Sequence, residues 1–184
     1  KVKRFLKFSE KIAVQYSDVV ITDNEAISEY VFNEYNKDSR VIAYGGDHAW
    51  LNTEDVFTTR NYKSDYYLSV CRIEPENNVE LILKTFSKLK YKIKFIGNWN
   101  GSEFGKKLRL HYSNYPNIEM IDPIYDLQQL FHLRNNCIGY IHGHSAGGTN
   151  PSLVEAMHFS KPIFAYDCKF NRYTIENEAC FFSN

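Results

Sequence analysis

After about residue 60 the chain alternates between short β-rich runs and amphipathic helical stretches, and this continues almost to its last residue. YYLSV (66–70) precedes NNVELILKTFSKLK (77–90), whose Val79, Leu81, Ile82, Leu83, Phe86 and Leu89 suit a helix laid on a sheet. YKIKFIG (91–97) precedes SEFGKKLRLHYSNY (102–115). IEMI (118–121) precedes YDLQQLFHLRNN (125–136), with Asp126 placed as an N-cap. CIGYIHG (137–143) leads to a helix starting at Pro151, and KPIFAY (161–166), NRYTIENE (171–178) and ACFF (179–182) complete the series. Regular β-α alternation with short connections predicts an α/β fold, a Rossmann-like, doubly wound parallel sheet with helices on both faces.

Residues 1–44 read differently. KVKRFLKFSEKIAVQYS is a basic amphipathic helix, DVVIT a short strand, DNEAISEYVFNEYN a second helix, and RVIAYGGD a strand running into a turn. This predicts the end of a preceding α/β domain over residues 1–47, with Gly45–Asp47 in a linker, and a second domain over 48–184. The chain opens at Lys1 in mid-helix and closes just after a strand-like run, so it reads as part of something larger. The basic stretch of Lys1, Lys3, Arg4, Lys7 and Lys11 reads first as a solvated helix face, with peripheral contact to an anionic membrane as the alternative.

Composition narrows the function classes. The 22 basic and 22 acidic residues cancel, which leaves no electrostatic footprint for duplex nucleic acid. Cys71, Cys137, Cys168 and Cys180 form no C-x-x-C pair, and three sit in strand-like runs, where cysteine acts as a small apolar residue. A reduced, cytoplasmic protein is expected, without a disulfide framework or a zinc site. No apolar run approaches the roughly 20 residues of a membrane-spanning helix.

In folds of this class ligands bind outside the carboxyl ends of the strands. Three loops leave those ends: CRIEPENN (71–78), GNWNGS (97–102) and HGHSAGGTN (142–150). In the last, Asn150 is a good N-cap and Pro151 suits the first helical position. Gly147 and Gly148 permit close backbone approach, and their amides with those of Thr149 and Ser152 suit an anion. Glu155, about one turn into the helix, suits hydrogen bonds from sugar hydroxyls. Gly143 and Gly148 have the G-x-x-x-x-G spacing of a P-loop, but Thr149 and Asn150 stand where its Lys and Ser/Thr belong. By glycine content alone, a tight turn is as good a reading as a phosphate site. Arg72, immediately after a strand, suits a pyrophosphate, and equally a surface pairing with Glu74 or Glu76. His142 and His144 have no carboxylate or cysteine spaced to complete a metal site, so loop hydrogen bonding or substrate contact is expected of them. His48 and Trp50 follow the linker turn, where packing is the expected role.

Taken together these segments resemble the GT-B glycosyltransferases of family four. VIAYGGD resembles their interdomain "IPNGVD" linker, YYLSVCRIEPENNVELILKTFSKL their "GRLVPEKN" strand-loop-helix, and GTNPSLVEAMHFSKPIFAYD their "P-x-x-x-E-A-M" segment. The combination of HGHS-x-GGTNPSLVEAM with R-x-EPENN and PIYD is similar to bacterial rhamnosyltransferases that use dTDP-rhamnose in capsule or O-antigen synthesis. The resemblance implies the C-terminal, nucleotide-sugar-binding half of a GT-B fold after a remnant of the acceptor-side domain. Arg72 would contact the diphosphate and Glu155 the ribose. Residues Gly147, Gly148, Thr149 and Asn150 would face phosphates and sugar, Ile124 and Tyr125 would touch the base, and His144 would contribute near the phosphates. It implies no metal and no cofactor beyond the donor, a glycan or lipid-linked glycan acceptor, retention of anomeric configuration, and no turnover by these residues alone. Two departures stand out: Gly147 occupies the place of a family glutamate, and Asn77 that of the lysine in "PEKN". Sugar-nucleotide 2-epimerases share the architecture but need carboxylates where Gly147 lies. A non-enzymatic α/β interaction domain would carry the loops as ordinary turns.

Overall fold

The structure, a computed structural model, describes residues 2–51 and 65–183; Lys1 of the basic stretch lies outside it. The first segment contains α1 (Val2–Tyr16), β1 (Ile21–Thr22), α2 (Glu25–Tyr35) and β2 (Arg40–Val41), the two strands pairing in parallel. Asn24 caps α2 by accepting from the Ala26 amide at 2.9 Å, and Asn36 closes it in the left-handed region at φ 50°. α1 meets α2 through its polar side, where Lys7 Nζ donates to Glu34 Oε1 at 2.8 Å and Tyr35 Oη donates to Glu10 Oε1 at 2.9 Å. Its apolar Val2, Phe5, Leu6 and Phe8 are exposed.

The second segment follows the predicted alternation: β3 (Tyr66–Val70), α3 (Val79–Phe86), β4 (Lys92–Ile96), α4 (Glu103–Tyr112), β5 (Ile118–Ile121), α5 (Leu127–Asn136), β6 (Gly139–His142), α6 (Pro151–Met157), β7 (Ile163–Tyr166), α7 (Lys169–Ile175) and β8 (Cys180–Phe182). Its six strands form one parallel sheet in the order β5-β4-β3-β6-β7-β8. Asp126 caps α5 through the Gln129 amide at 2.8 Å, as expected. The helix expected over 77–90 is shorter, because Asn78 in the left-handed region (φ 48°) separates a single 3₁₀ turn at Pro75–Asn77 from α3. Cys180 lies within a strand, whereas Cys71 follows β3 and Cys137 ends α5; all four cysteines are free thiols.

Alternating strand residues feed two cores. Ile93 and Phe95 join Val79, Ile82, Leu83 and Phe86 of α3 on one face. Leu68, Ile96 and Tyr140 join Leu153 and Ala156 of α6 on the other. Each fully buried aliphatic or phenyl side chain stabilises the fold by about 1.5–3 kcal/mol. A third, small cluster anchors the 3₁₀ turn Asp47–Ala49: Ala49 is buried with Phe131 and Phe159, and the Trp50 ring lies 5.5 Å from each of those rings.

Candidate functional site

Strand order reverses between β3 and β6, so the connections leaving these neighbours go to opposite faces and open a crevice at their carboxyl ends. A cavity of about 650 Å³ occupies that position, a size suited to a small-molecule ligand. Arg72, Ile124, Tyr125, Asn150 and Glu155 line it, together with Asn98 and Ser102 of the 97–102 loop. Sequence reasoning also pointed to Gly147, Gly148, Thr149 and His144, and these do not line it. Thr149 is buried against the first segment: its Oγ1 donates to Asp23 O at 2.6 Å and accepts from Asn24 Nδ2 at 3.1 Å. Gly148 lies so close to Asp23 that a Cβ would fall 2.0 Å from its carboxylate, and Gly147 holds φ at +99°. The 147–149 turn is thus shaped as much by residues 23–24 as by anything in the cavity.

The loops after β3 and β6 are laced together. Asn77 Oδ1 lies 2.8 Å from His144 Nδ1, and Asn77 Nδ2 donates to Arg72 O at 2.8 Å. Asn78 Nδ2 donates to Gly143 O, and the Ser145 amide and hydroxyl both donate to Glu76 O. Gly143 is required here, since a Cβ would sit 2.1 Å from Asn77 O. Asn77 therefore acts as a strut where a family lysine was expected. Because Asn77 is buried, Asn77→Ala should leave His144 Nδ1 unpartnered and Arg72 O with the Glu74 amide alone. A loss of about 1–3 kcal/mol is expected by urea denaturation.

Electrostatically the cavity is mixed. Arg72 is largely exposed, its guanidinium 3.5 Å from Glu74 Oε2, so both roles weighed for it remain compatible with its position. The Glu74 carboxyl is raised above its ordinary range by its hydrogen bond with Glu76, and the same contact lowers Glu76. Burial pushes the Cys71 thiol to about 12, which makes it a poor nucleophile at neutral pH. His142, nearly inaccessible on β6, is lowered to about 3 by burial and secondarily by His144. Its Nε2 lacks a hydrogen-bond partner among the described residues. His144 is also lowered, chiefly by burial. Among the described residues no group of three or more His, Cys, Asp or Glu is placed to hold a metal ion.

Asn150 starts α6 by accepting from the Ser152 amide at 3.1 Å and its hydroxyl at 2.8 Å, with Pro151 in the first turn. One turn on, Glu155 meets two residues that sequence reasoning did not connect to it. Oε1 lies 3.0 Å from His48 Nε2 of the 3₁₀ turn Asp47–Ala49, and Oε2 accepts from Arg134 of α5. Arg134 is buried, and its Nε has no partner among the described residues. In sequence it reads only as a basic residue in the last turn of a helix, favourable to the helix dipole.

A parallel sheet in this order, with a ligand-sized cavity at its reversal point, defines a doubly wound α/β domain of the class that binds ligands at such a crevice. The chain belongs to the family of glycosyl transferases group 1, which matches residues 52–182. Residues 1–47 match a second family, described as a domain of unknown function (DUF1972). No curated protein matches the chain. The fold is that of GT-B glycosyltransferases. It is similar to sucrose-phosphate synthase from Thermosynechococcus elongatus (16% identity, TM-score 0.75, covering 94% of this chain and 47% of that one). It is also similar to HepE from Anabaena in complex with UDP-glucose (14%, 0.74, 97% and 53%). A third is a TarM variant from S. aureus in complex with fondaparinux, α-GlcNAc-glycerol and UDP (14%, 0.73, 94% and 35%). The chain spans about half or less of these proteins. No helix among the described residues is long and apolar enough to cross a membrane.

Proposed function

We propose that the cavity at the β3/β6 crevice binds the nucleotide-diphosphate part of a sugar donor, and that the protein transfers the sugar to a glycan or lipid-linked glycan. The observation that carries this reading is the convergence on one cavity of Arg72, Ile124, Tyr125, Asn150 and Glu155, drawn from separate loops, in a chain of this family. Support also comes from structures of the same fold with UDP or UDP-glucose. Arg72 takes the diphosphate, Glu155 the ribose hydroxyls, and Ile124 and Tyr125 the base. Gly147, Gly148, Thr149, Asn150 and His144 shape the edge of the site facing phosphate and sugar. Residues 1–47 end the acceptor-side domain, and 48–184 hold the donor.

Breaking the sugar–phosphate bond places positive charge on the anomeric carbon and negative charge on the departing diphosphate. The Arg72 guanidinium and the amides at the start of α6 stabilise the latter as it develops. This reading assigns no step to a metal. It carries retention of anomeric configuration from the family resemblance, and dTDP-rhamnose as donor and a surface polysaccharide as product from the combination of HGHS-x-GGTNPSLVEAM with R-x-EPENN and PIYD. It takes a cytoplasmic site of action from the cysteine usage, and contact with the membrane face from the basic stretch at the start of the chain. The chain by itself binds donor weakly and completes no transfer.

Ligand-observed NMR and calorimetry with dTDP, UDP and GDP test it. Arg72→Ala should weaken the preferred nucleoside diphosphate about tenfold, with a much smaller effect on the nucleoside, since a charge-assisted hydrogen bond is lost. Equal indifference of the folded chain to all three diphosphates would overturn the donor site. A preference for UDP or GDP would keep the sugar transfer and discard dTDP-rhamnose.

A further inference from the structure

The ribose-reading role of Glu155 requires a carboxylate fixed in direction, and nothing in α6 itself fixes it. A carboxylate has about four lone-pair sites. One oxygen of Glu155 is held by Arg134, and the other is bridged by His48 from the 3₁₀ turn Asp47–Ala49, which leaves the remaining sites for a ligand in the cavity that Glu155 lines. Arg134 is 4% exposed and does not line the cavity. It therefore reaches a ligand only through Glu155. It also sets the charge of the site. Among the described residues Arg72 is the only cation that lines the cavity, and Glu74 and Glu155 both line the wall. Without Arg134 this wall would present excess negative charge to an anionic ligand. The contact is a single one, Arg134 Nη2 to Glu155 Oε2, made by a rigid planar guanidinium whose direction a flexible lysine ammonium does not reproduce.

From this geometry we infer that Arg134 is a positioning residue for donor binding, orienting and neutralising Glu155 so that its free lone pairs accept the ribose hydroxyls. The inference rests on the donor-site reading above.

The test compares UDP with 2′,3′-dideoxyuridine diphosphate, and dTDP with 2′,3′-dideoxythymidine diphosphate, by calorimetry or ligand-observed NMR. The chain should favour the hydroxyl-bearing member of its preferred pair by about tenfold, the scale of a hydrogen bond to a charged group. Glu155→Gln and Arg134→Met should each bring that ratio to within about twofold, and the double variant should lower it no further, since residues acting as one unit do not add. Arg134→Lys, which keeps the charge but not the planar guanidinium, should restore part of the ratio, and it is the variant to read if Arg134→Met does not fold. A merely structural arginine would change stability without changing this ratio.

The outcomes separate the two claims. A full wild-type ratio in Arg134→Met or Arg134→Lys, alongside a collapsed ratio in Glu155→Gln, overturns the role of Arg134 and leaves the donor site standing. A wild-type chain that binds both members of each pair equally, or neither, overturns the ribose reading of Glu155, and the role of Arg134 with it.

Discussion

Glu155→Ala is expected to destabilise the chain by about 3–5 kcal/mol, the range measured when one partner of a buried ion pair is removed. The reason is Arg134 rather than Glu155. The arginine side chain is only 5% exposed, while that of Glu155 retains 17%. Truncating the carboxylate leaves a guanidinium that can neither reach water nor lose its proton. Its Nε already lacks a partner among the described residues, so no nearby acceptor is waiting. The His48 contact is lost as well, but that side chain is 60% exposed and its loss adds little. Urea denaturation checks this directly. Glu155→Gln, which keeps an acceptor for Arg134, should lose clearly less, and a Glu155→Ala variant as stable as the parent would show that Arg134 is not buried as described.

Acidification should unfold the chain through His142. Its ring is buried on β6 between Tyr140, stacked at a centroid distance of 6.1 Å, and His144 at the same distance. Burial, with a smaller contribution from His144, lowers it to about 3. The folded state thus binds the proton more weakly than the unfolded chain, in which histidine titrates near 6.5. Its contribution is complete above that pH and is lost as pH falls from about 6.5 toward 3. At about 1.4 kcal/mol per decade this amounts to on the order of 4 kcal/mol by pH 3. His142→Phe keeps a ring against Tyr140 and removes the titration. The pH dependence of the unfolding midpoint should be shallower in this variant between pH 6.5 and 3, with little difference above pH 7. Parallel curves for the two proteins over that window would refute the assignment.

Both expectations come from residues that the sequence left ambiguous. A histidine at the end of a strand is as readily a substrate contact as a buried ring; the neighbouring strands on both sides of β6 are what remove it from water. Asn77 read as a missing charge at a phosphate site, and the structure gives it a bond to each of two loops. Thr149 read as an anion contact through its backbone amide, and the structure adds that its hydroxyl is spent on Asp23 and Asn24, more than a hundred residues earlier. No local signal could have revealed that partner.

The set of elements and their class follow from local pattern alone. Periods of two and of about 3.6 residues, the caps Asp126 and Asn150, and Pro151 at a helix start act within one turn or one strand, so they are legible without knowing the fold. The alternation also required parallel strands, and with them a ligand site at their carboxyl ends. Tertiary structure alone decided the order β5-β4-β3-β6-β7-β8, and therefore which two loops face each other across the crevice. It also brought Arg134 and His48 to Glu155 across separations of 21 and 107 residues. The difference is one of range. Hydrogen-bond periodicity and capping are near-neighbour effects, whereas the partner of a buried charge is fixed by how whole helices pack on the sheet.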